Sequence, residues 1–508
     1  MKIRNRITVF LGCFVILLFY QATIAQDFYT ELSSELQKEL NSIVVENELP
    51  GITFSLLFDD EHQINLAAGY QDRQQKLPMQ VDSKMLSGSV GKIFFSTLAL
   101  NMVQDGKLNL DDLASKYLGD REWFNTFPNH SEIKIINLLN HTSGLPRHLF
   151  QPEFLQEFLK DPLEKRDPEQ CIQSIANKPA VHPVGAGWAY SDTNYILLGL
   201  IIEQMTGEDI YALVDTELLQ PLHLKNTLPA VDRRIAGLVQ GYIGPQNPFQ
   251  LPEKVMGDTG ELLVHPAFEW TGGGFATTPS DLTKMVKFIH EGDYLNQETK
   301  DLLTSAVNMA TGQPYDQGYG LGSFVWSKNE DTRYGHSGFF PGYVSHVEYS
   351  KNRQYALAIQ VNYDGAYAYL QQFLFDLEQV IEGHLDEIDD YKIRQNFKKQ
   401  EACWNNADIA CYMEAYATTE HIQTASRGGI TYGYDNIIGN YRKYFPKERM
   451  GKLYFDNINT RRLSDNLYFV TGRFNLRFPD REDLARGWFS VNMKKINGKW
   501  LMITDHSS

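Results

Sequence analysis

A serine three positions ahead of a lysine, where a buried helix begins, is the arrangement in this chain with the most direct chemical meaning. Gly88-Ser89-Val90-Gly91-Lys92 stands just before the apolar run Ile93-Phe94-Phe95-Ser96-Thr97-Leu98-Ala99-Leu100, so Ser89 opens the helix and shares a face with Lys92. A serine hydroxyl is a poor nucleophile until a neighbour takes its proton, and a desolvated lysine whose pKa has fallen can do so. The spacing is not specific by itself, because Ser131-Glu132-Ile133-Lys134 repeats it at what reads as a surface lead-in to a helix. Two further elements complete a set: Tyr190-Ser191-Asp192, after the turn at Gly185 and Gly187, and Gly335-His336-Ser337-Gly338, ahead of a strand. Tyr434-Asp435-Asn436 and His290-Glu291-Gly292 match the same loose patterns, but the order helix start, loop, strand edge is kept only between Ser89 and Gly338.

The elements that must position these groups are legible as periodicity. Apolar positions recur at helical spacing from Leu32 to Leu49, and Pro50-Gly51 then opens the alternating segments Ile52 to Leu56 and Ile64 to Tyr70, a hairpin. A long helical zone from Ser89, a loop-rich middle, strand-like runs at Tyr343 to Tyr349 and Tyr355 to Val361, and a helix from Tyr367 to Gly383 follow. Thr278-Pro279-Ser280-Asp281 is a helix start, with a capping threonine, proline in the first turn and an early acid. Gly272-Gly273-Gly274 lacks the Lys-Ser/Thr of a phosphate loop and reads as close backbone packing, while Phe94 and Phe95 read as core. The whole describes one unit of mixed helix and strand whose sheet is built from both of its ends.

These residues resemble those of the serine β-lactamase and penicillin-binding protein superfamily, most closely its class C branch with the related esterases and D-amino-acid peptidases. The resemblance runs from about Leu32 to Gly383. Beyond the three motifs it includes Leu138 to Pro146 (Leu-Leu-Asn-His-Thr-Ser-Gly-Leu-Pro), Pro221 to Thr227, and Gly272-Gly273-Gly274-Phe275. It implies an α/β (α+β) β-lactamase/transpeptidase-like fold, an antiparallel sheet flanked by helices with a helical subdomain. By the same resemblance Ser89 attacks a carbonyl to give an acyl-enzyme, Lys92 and Tyr190 share the proton transfers, and the oxyanion sits between the backbone N–H groups of Ser89 and Phe339, with His141 in a structural turn. A phenol beside a lysine cation ionises more easily, so either group is open as the general base. Substrate is expected along the strand after Gly338, with Asp192, His336, Ser337, Gly338 and Phe339 as the binding and oxyanion residues. Two departures bear on substrate: Asp192 replaces the usual asparagine and cannot donate when ionised, and His336 replaces the more familiar lysine and is mostly neutral at pH 7. Esters or peptide and D-amino-acid amides are therefore expected ahead of β-lactams. The alternatives are a β-lactamase or D-alanyl-D-alanine carboxypeptidase proper, and an inactive relative that binds peptides or glycans, against which the complete set Ser89, Lys92 and Tyr190 argues. An α/β-hydrolase needs Gly-x-Ser-x-Gly, and Ser87, not glycine, stands two residues before Ser89.

Composition bounds the rest. With 508 residues, 43% hydrophobic and 22% charged, the chain is an ordinary globular protein with room for about three units of 150 residues, or one large domain and a smaller one. A net charge of −16 repels phosphate backbones and argues against nucleic acid as a partner. A basic start (Lys2, Arg4, Arg6), an uncharged apolar stretch and the small residues Thr23 and Ala25 read as a secretory leader over 1–25, so the protein is expected to be exported, periplasmic or secreted, without a stable membrane span after cleavage. No metal or cofactor is indicated, since HExxH, paired CxxC and calcium-loop patterns are missing. Cys403 and Cys411, eight apart in a segment that reads helical, are expected about 12 Å apart and unbridged, as free buried thiols like Cys171.

The acidic stretch Leu385 to Asp390 is read as the boundary between a hydrolase domain over 26–385 and an accessory domain over 386–508. Helices near Ile393 to Thr418 and Gly433 to Phe445 precede strand-like runs at Leu453 to Asn459, Asn466 to Phe478, Gly487 to Ile496 and Trp500 to His506. From about Asp389 this part resembles the NTF2-like cone fold, in particular the SnoaL-like or DUF4440 group, on Trp404-Asn405-Asn406-Ala407-Asp408, Gly433 to Pro446 and the closing Gly498 to His506. That resemblance implies a pocket or a face for pairing, hence binding or a homodimer rather than a second active site. Asp505 and His506 are open to two readings, a small-ligand site in such a pocket or polar residues at a fraying end, and the second is expected.

Overall fold

The computed structural model describes residues 28–508 apart from 60–61, 329–330, 427, 479–483 and 497. The leader read at 1–25 lies outside the described residues. The chain divides into two compact units: Ser33–Glu378, and Gln379–Ser508 together with the segment up to Leu32.

In the first unit ten antiparallel strands form one sheet, in the order Leu77–Pro78, His62–Asp72, Gly51–Asp59, Tyr355–Val361, Tyr343–Ser350, Asp331–Phe340, Phe324–Lys328, Gly318–Tyr319, Ala306–Val307 and Pro314–Tyr315. Ile52 lies opposite both Ala68 of the amino-terminal hairpin and Val361 of the late strand, so both ends of the unit build the sheet, as the alternation predicts. Tyr343–Ser350 and Tyr355–Val361 are buried along their whole lengths; the second reads as a nearly continuous apolar run, as a strand covered on both faces does, while the first also buries His346 and Glu348. One face carries the helix Pro279–Glu291, capped by Thr278 as expected, where Thr283 meets Ser55 at 3.1 Å and the His290 ring stacks on Tyr334 and Tyr349. The other carries the helix Leu370–Gly383, whose Glu378 pairs with Lys328 and Arg333 of the strands. The helix Lys92–Gln104 is apolar all round because it runs through the core, with Phe94 and Phe95 against Phe275 at 4.9 and 5.3 Å.

The second unit places the helix Leu385–Asn405, the short helix Ile409–Met413 and the helix Tyr434–Tyr444 against six strands, ordered Gly429–Tyr432, Gln423–Ser426, Lys499–Ser507, Leu484–Ile496, Leu467–Arg477 and Lys452–Ser464. Three expectations are corrected here. The acidic stretch, read as a boundary, does not keep all its charge outside a core: it opens a helix of 21 residues, where Asp389 is buried and held by Lys495 at 2.7 Å and Trp500 Nε1 at 3.0 Å. A charge enters a core when a buried cation and a donor meet it there. Cys403 and Cys411 are joined in a disulfide with their Cα atoms 5.5 Å apart, because the helix stops at Asn405 and Ala407, with φ 56°, turns the chain back. Asp505 is no frayed residue either: it pairs in register with Thr424 and Val491 and accepts a hydrogen bond from Tyr416 at 2.7 Å, while His506 is exposed.

Candidate active site

The turn that presents Ser89 depends on two glycines. Gly88 has φ 51°, and a side chain on it would strike the backbone of Phe339; a side chain on Gly91 would strike the Gly273 carbonyl. The start of the helix is thereby wedged between the strand Asp331–Phe340 and the triple-glycine turn. Gly338 is needed for the same reason, since a Cβ there would meet the Ser87 carbonyl oxygen. The Phe339 backbone thus lies against the Ser89 turn, as the expected oxyanion position requires.

Lys92 is fully buried, and its Nζ reaches Ser89 Oγ at 3.0 Å, Asp192 Oδ1 at 2.7 Å and the Gly272 carbonyl. Burial pulls its pKa below the usual lysine value, with the Asp192 charge opposing the shift. Asp192, at the start of the helix Asp192–Thr206, is itself buried, and its second oxygen accepts from Arg147 Nε at 2.8 Å. Despite that burial, the two cations hold its carboxyl far below the usual range. Both of its oxygens are engaged beneath the site, so Asp192 does not take the place of a substrate-facing asparagine.

The Tyr190 hydroxyl faces Ser89 without a hydrogen bond of ordinary geometry to any described residue, and its ring packs 4.3 Å from His141 and 5.0 Å from Lys92 Nζ. Here the structure overturns an expectation. Burial and the Asp192 carboxylate push the phenol well above its ordinary pKa, outweighing the opposing influence of Ser89 and Arg147. The lysine cation has its own carboxylate, and the phenol stays protonated.

His336 is buried, lies 6.0 Å from the Tyr190 ring, and shares a hydrogen bond with Tyr319 at 3.1 Å. Burial lowers its pKa to about 3, so it is neutral, as expected from its residue type. Ser337 points the other way: neighbours along a strand alternate faces, and its Oγ meets His346 Nδ1 at 2.9 Å. The structure therefore gathers Ser89, Lys92, Tyr190, Asp192, His336, Gly338 and the Phe339 backbone, and leaves the Ser337 side chain outside. Sequence reasoning missed Arg147, on Asp192, and Glu269, a buried carboxyl pushed up to about 7 by desolvation, with the Lys92 charge opposing, that accepts from Gly274 N at 3.2 Å. His141, with φ 62°, accepts from Asn194 Nδ2 at 2.9 Å and supports the Tyr190 ring.

Comparisons with known proteins bear on the family and the fold. The family model described as Beta-lactamase matches residues 35–372. Protein flp of Staphylococcus aureus (strain MW2) is 23% identical over 351 residues, covering 66% of this chain; the chain spans 65% of that relative's own length. Among solved structures, D-amino acid amidase from Ochrobactrum anthropi SV3, complexed with L-phenylalanine amide, is 21% identical with a TM-score of 0.58 over 70% of this chain and 99% of its own. The octameric penicillin-binding protein homologue from Pyrococcus abyssi is 18% identical with a TM-score of 0.54 over 93% of this chain and 95% of its own. At these identities the solved structures establish the β-lactamase/transpeptidase-like fold.

Proposed function

The chain belongs to the beta-lactamase family, and we propose that it is an exported serine hydrolase that forms an acyl-enzyme on Ser89 and cleaves esters or short peptide and D-amino-acid amides. The observation that carries this reading is the contact of Lys92 Nζ with Ser89 Oγ at 3.0 Å, at a lysine whose pKa burial lowers. In its neutral form Lys92 takes the Ser89 proton as Oγ bonds to the substrate carbonyl carbon. The N–H groups of Ser89 and Phe339 receive the oxyanion. As the tetrahedral species collapses, the C–O or C–N bond breaks and Tyr190, kept protonated, gives its proton to the leaving group and recovers one from the Lys92 ammonium. Water then attacks the acyl carbon as neutral Lys92 takes its proton, and when the ester C–O bond breaks Ser89 Oγ leaves with that proton returned by the same pair.

Amide cleavage draws support from the fold shared with the D-amino acid amidase. Poor β-lactam turnover follows from His336, which is neutral and bound to Tyr319, so the strand offers no fixed cation to a substrate carboxylate. The Cys403–Cys411 disulfide supports an oxidising compartment and hence export. We assign the carboxy-terminal unit to the NTF2-like cone group in an accessory role; the Pyrococcus abyssi homologue, which covers most of both units and is described as octameric, supports self-association. Labelling with a fluorophosphonate probe tests the core of the reading: one adduct is expected on Ser89, lost in Ser89→Ala, and turnover should drop by orders of magnitude in Ser89→Ala and Lys92→Ala with the fold intact. Wild-type-like hydrolysis by Ser89→Ala would sink it.

A further inference from the structure

The carboxy-terminal unit encloses a cavity of about 340 Å³, within the size of small-molecule sites. Its wall comes from elements far apart in the chain: Trp404 and Gln400 of the helix Leu385–Asn405, Tyr412 of the short helix Ile409–Met413 and Tyr416 just after it, Tyr441 of the helix Tyr434–Tyr444, and Asp505 of the last strand. Ser426, Asn440 and Tyr444 at its margin are exposed, so the cavity opens to solvent. The aromatic rings are packed against one another, Trp404 to Tyr412 at 5.2 Å and Tyr412 to Tyr441 at 5.4 Å, which fixes their faces.

The polar groups on this wall have one sign of need. The Asp505 carboxylate takes a hydrogen bond from Tyr416 at 2.7 Å and has no lysine or arginine paired with it among the described residues. Gln400 is 1% exposed, and its Oε1 has no hydrogen-bond partner among the described residues, its amide nitrogen being spent on the Tyr412 carbonyl at 3.3 Å. Both are acceptors. A half-buried carboxylate with no lysine or arginine beside it is costly, and a buried acceptor without a donor costs more than a hydrogen bond returns. A ligand that repays both brings N–H donors and positive charge, and aromatic faces attract the same charge. An acid or a phosphate would be repelled by Asp505.

We propose that this cavity is a binding site for a small organic amine, its ammonium taken by the Asp505 carboxylate and its apolar body by the aromatic wall around Trp404 and Tyr412. The site is separate from the Ser89 chemistry and does not depend on it.

Calorimetric titration of the full chain with 2-phenylethylamine, and with its neutral counterpart 2-phenylethanol, tests this. The amine is expected to bind at one saturable site at least about tenfold more tightly than the alcohol. Asp505→Asn should abolish that preference while Ser89 still takes the fluorophosphonate label. No saturable binding of the amine, equal binding of the alcohol, or a preference that survives Asp505→Asn would each overturn the proposal. Should Asp505→Asn fail to fold, the comparison of amine with alcohol on the unaltered chain decides alone.

Discussion

A protonated Lys92 has three donors, and the three acceptors around it, Ser89 Oγ, Asp192 Oδ1 and the Gly272 carbonyl, use all of them. Only the neutral amine has a lone pair for the Ser89 proton, so kcat/KM is expected to rise with pH along a limb set by Lys92. Glu269 acts on that limb through charge: once ionised, above about pH 7, it favours the lysine cation. Glu269→Gln removes that charge, lowers the Lys92 pKa and should move the rising limb to lower pH. A limb that stays in place or moves to higher pH would show that Glu269 does not tune the base. The same residues explain how legible the site was. Ser89, Lys92, Tyr190 and His336 are identified by type and local spacing, but Arg147 and Glu269 act across a fold in which no spacing links them to Lys92. The direction of the Tyr190 shift was not legible either, because it depends on burial beside Asp192. At the same scale, the neutral His336 gives a substrate prediction: a chromogenic cephalosporin should be turned over slowly, and kcat/KM above about 10⁶ M⁻¹s⁻¹, in a general range of 10⁴ to 10⁸, would contradict it.

Helix and sheet meet through a titratable group at His290, whose ring in the helix Pro279–Glu291 stacks on Tyr334 and Tyr349 of two neighbouring strands. Burial lowers its pKa to about 3. The unfolded chain then binds a proton that the folded one refuses, so the neutral ring's contribution is complete above about pH 6.5 and is lost as pH falls toward 3, by at most about 1.4 kcal/mol per pH unit. His290→Phe keeps the stack without the titration and should flatten the fall in urea midpoint between pH 6.5 and 4; an unchanged slope would place the acid sensitivity elsewhere. Elements like this helix were readable because period and cap agree, Thr278 and Pro279 marking its start. The hairpin Gln423–Ser426 and Gly429–Tyr432 was not: its two strands of four residues are short, and Gln423-Thr424-Ala425-Ser426 has no apolar alternation. The Cys403–Cys411 bridge escaped for a related reason, since a single turn at Ala407 undoes a distance inferred from unbroken helix.

Over the whole molecule, the chemistry lies in Ser33–Glu378 and the amine-binding cavity in the unit that holds Gln379–Ser508, each with its own hydrophobic core. A net charge of −16 keeps polyanions away and concentrates small cations near the surface, which serves a cavity that wants an amine and not a site that wants a nucleic acid. The carboxy-terminal unit also exposes large apolar side chains, among them Trp488 and Ile430, on strands of one sheet. Single exposed apolar residues are ordinary, but several on the strands of one sheet provide apolar surface for a second copy. A chain ending after Gly383 should therefore keep Ser89-dependent hydrolysis within about tenfold while its mass in solution, by light scattering, falls by more than the deleted residues account for. The helix Leu370–Gly383 must stay, because its Glu378 pairs with Lys328 and Arg333 at the sheet that carries His336. If the shortened chain folds but hydrolyses nothing, the second unit is needed for catalysis and its accessory role is wrong. If activity persists and the mass falls only by the deleted residues, self-association through this unit is excluded.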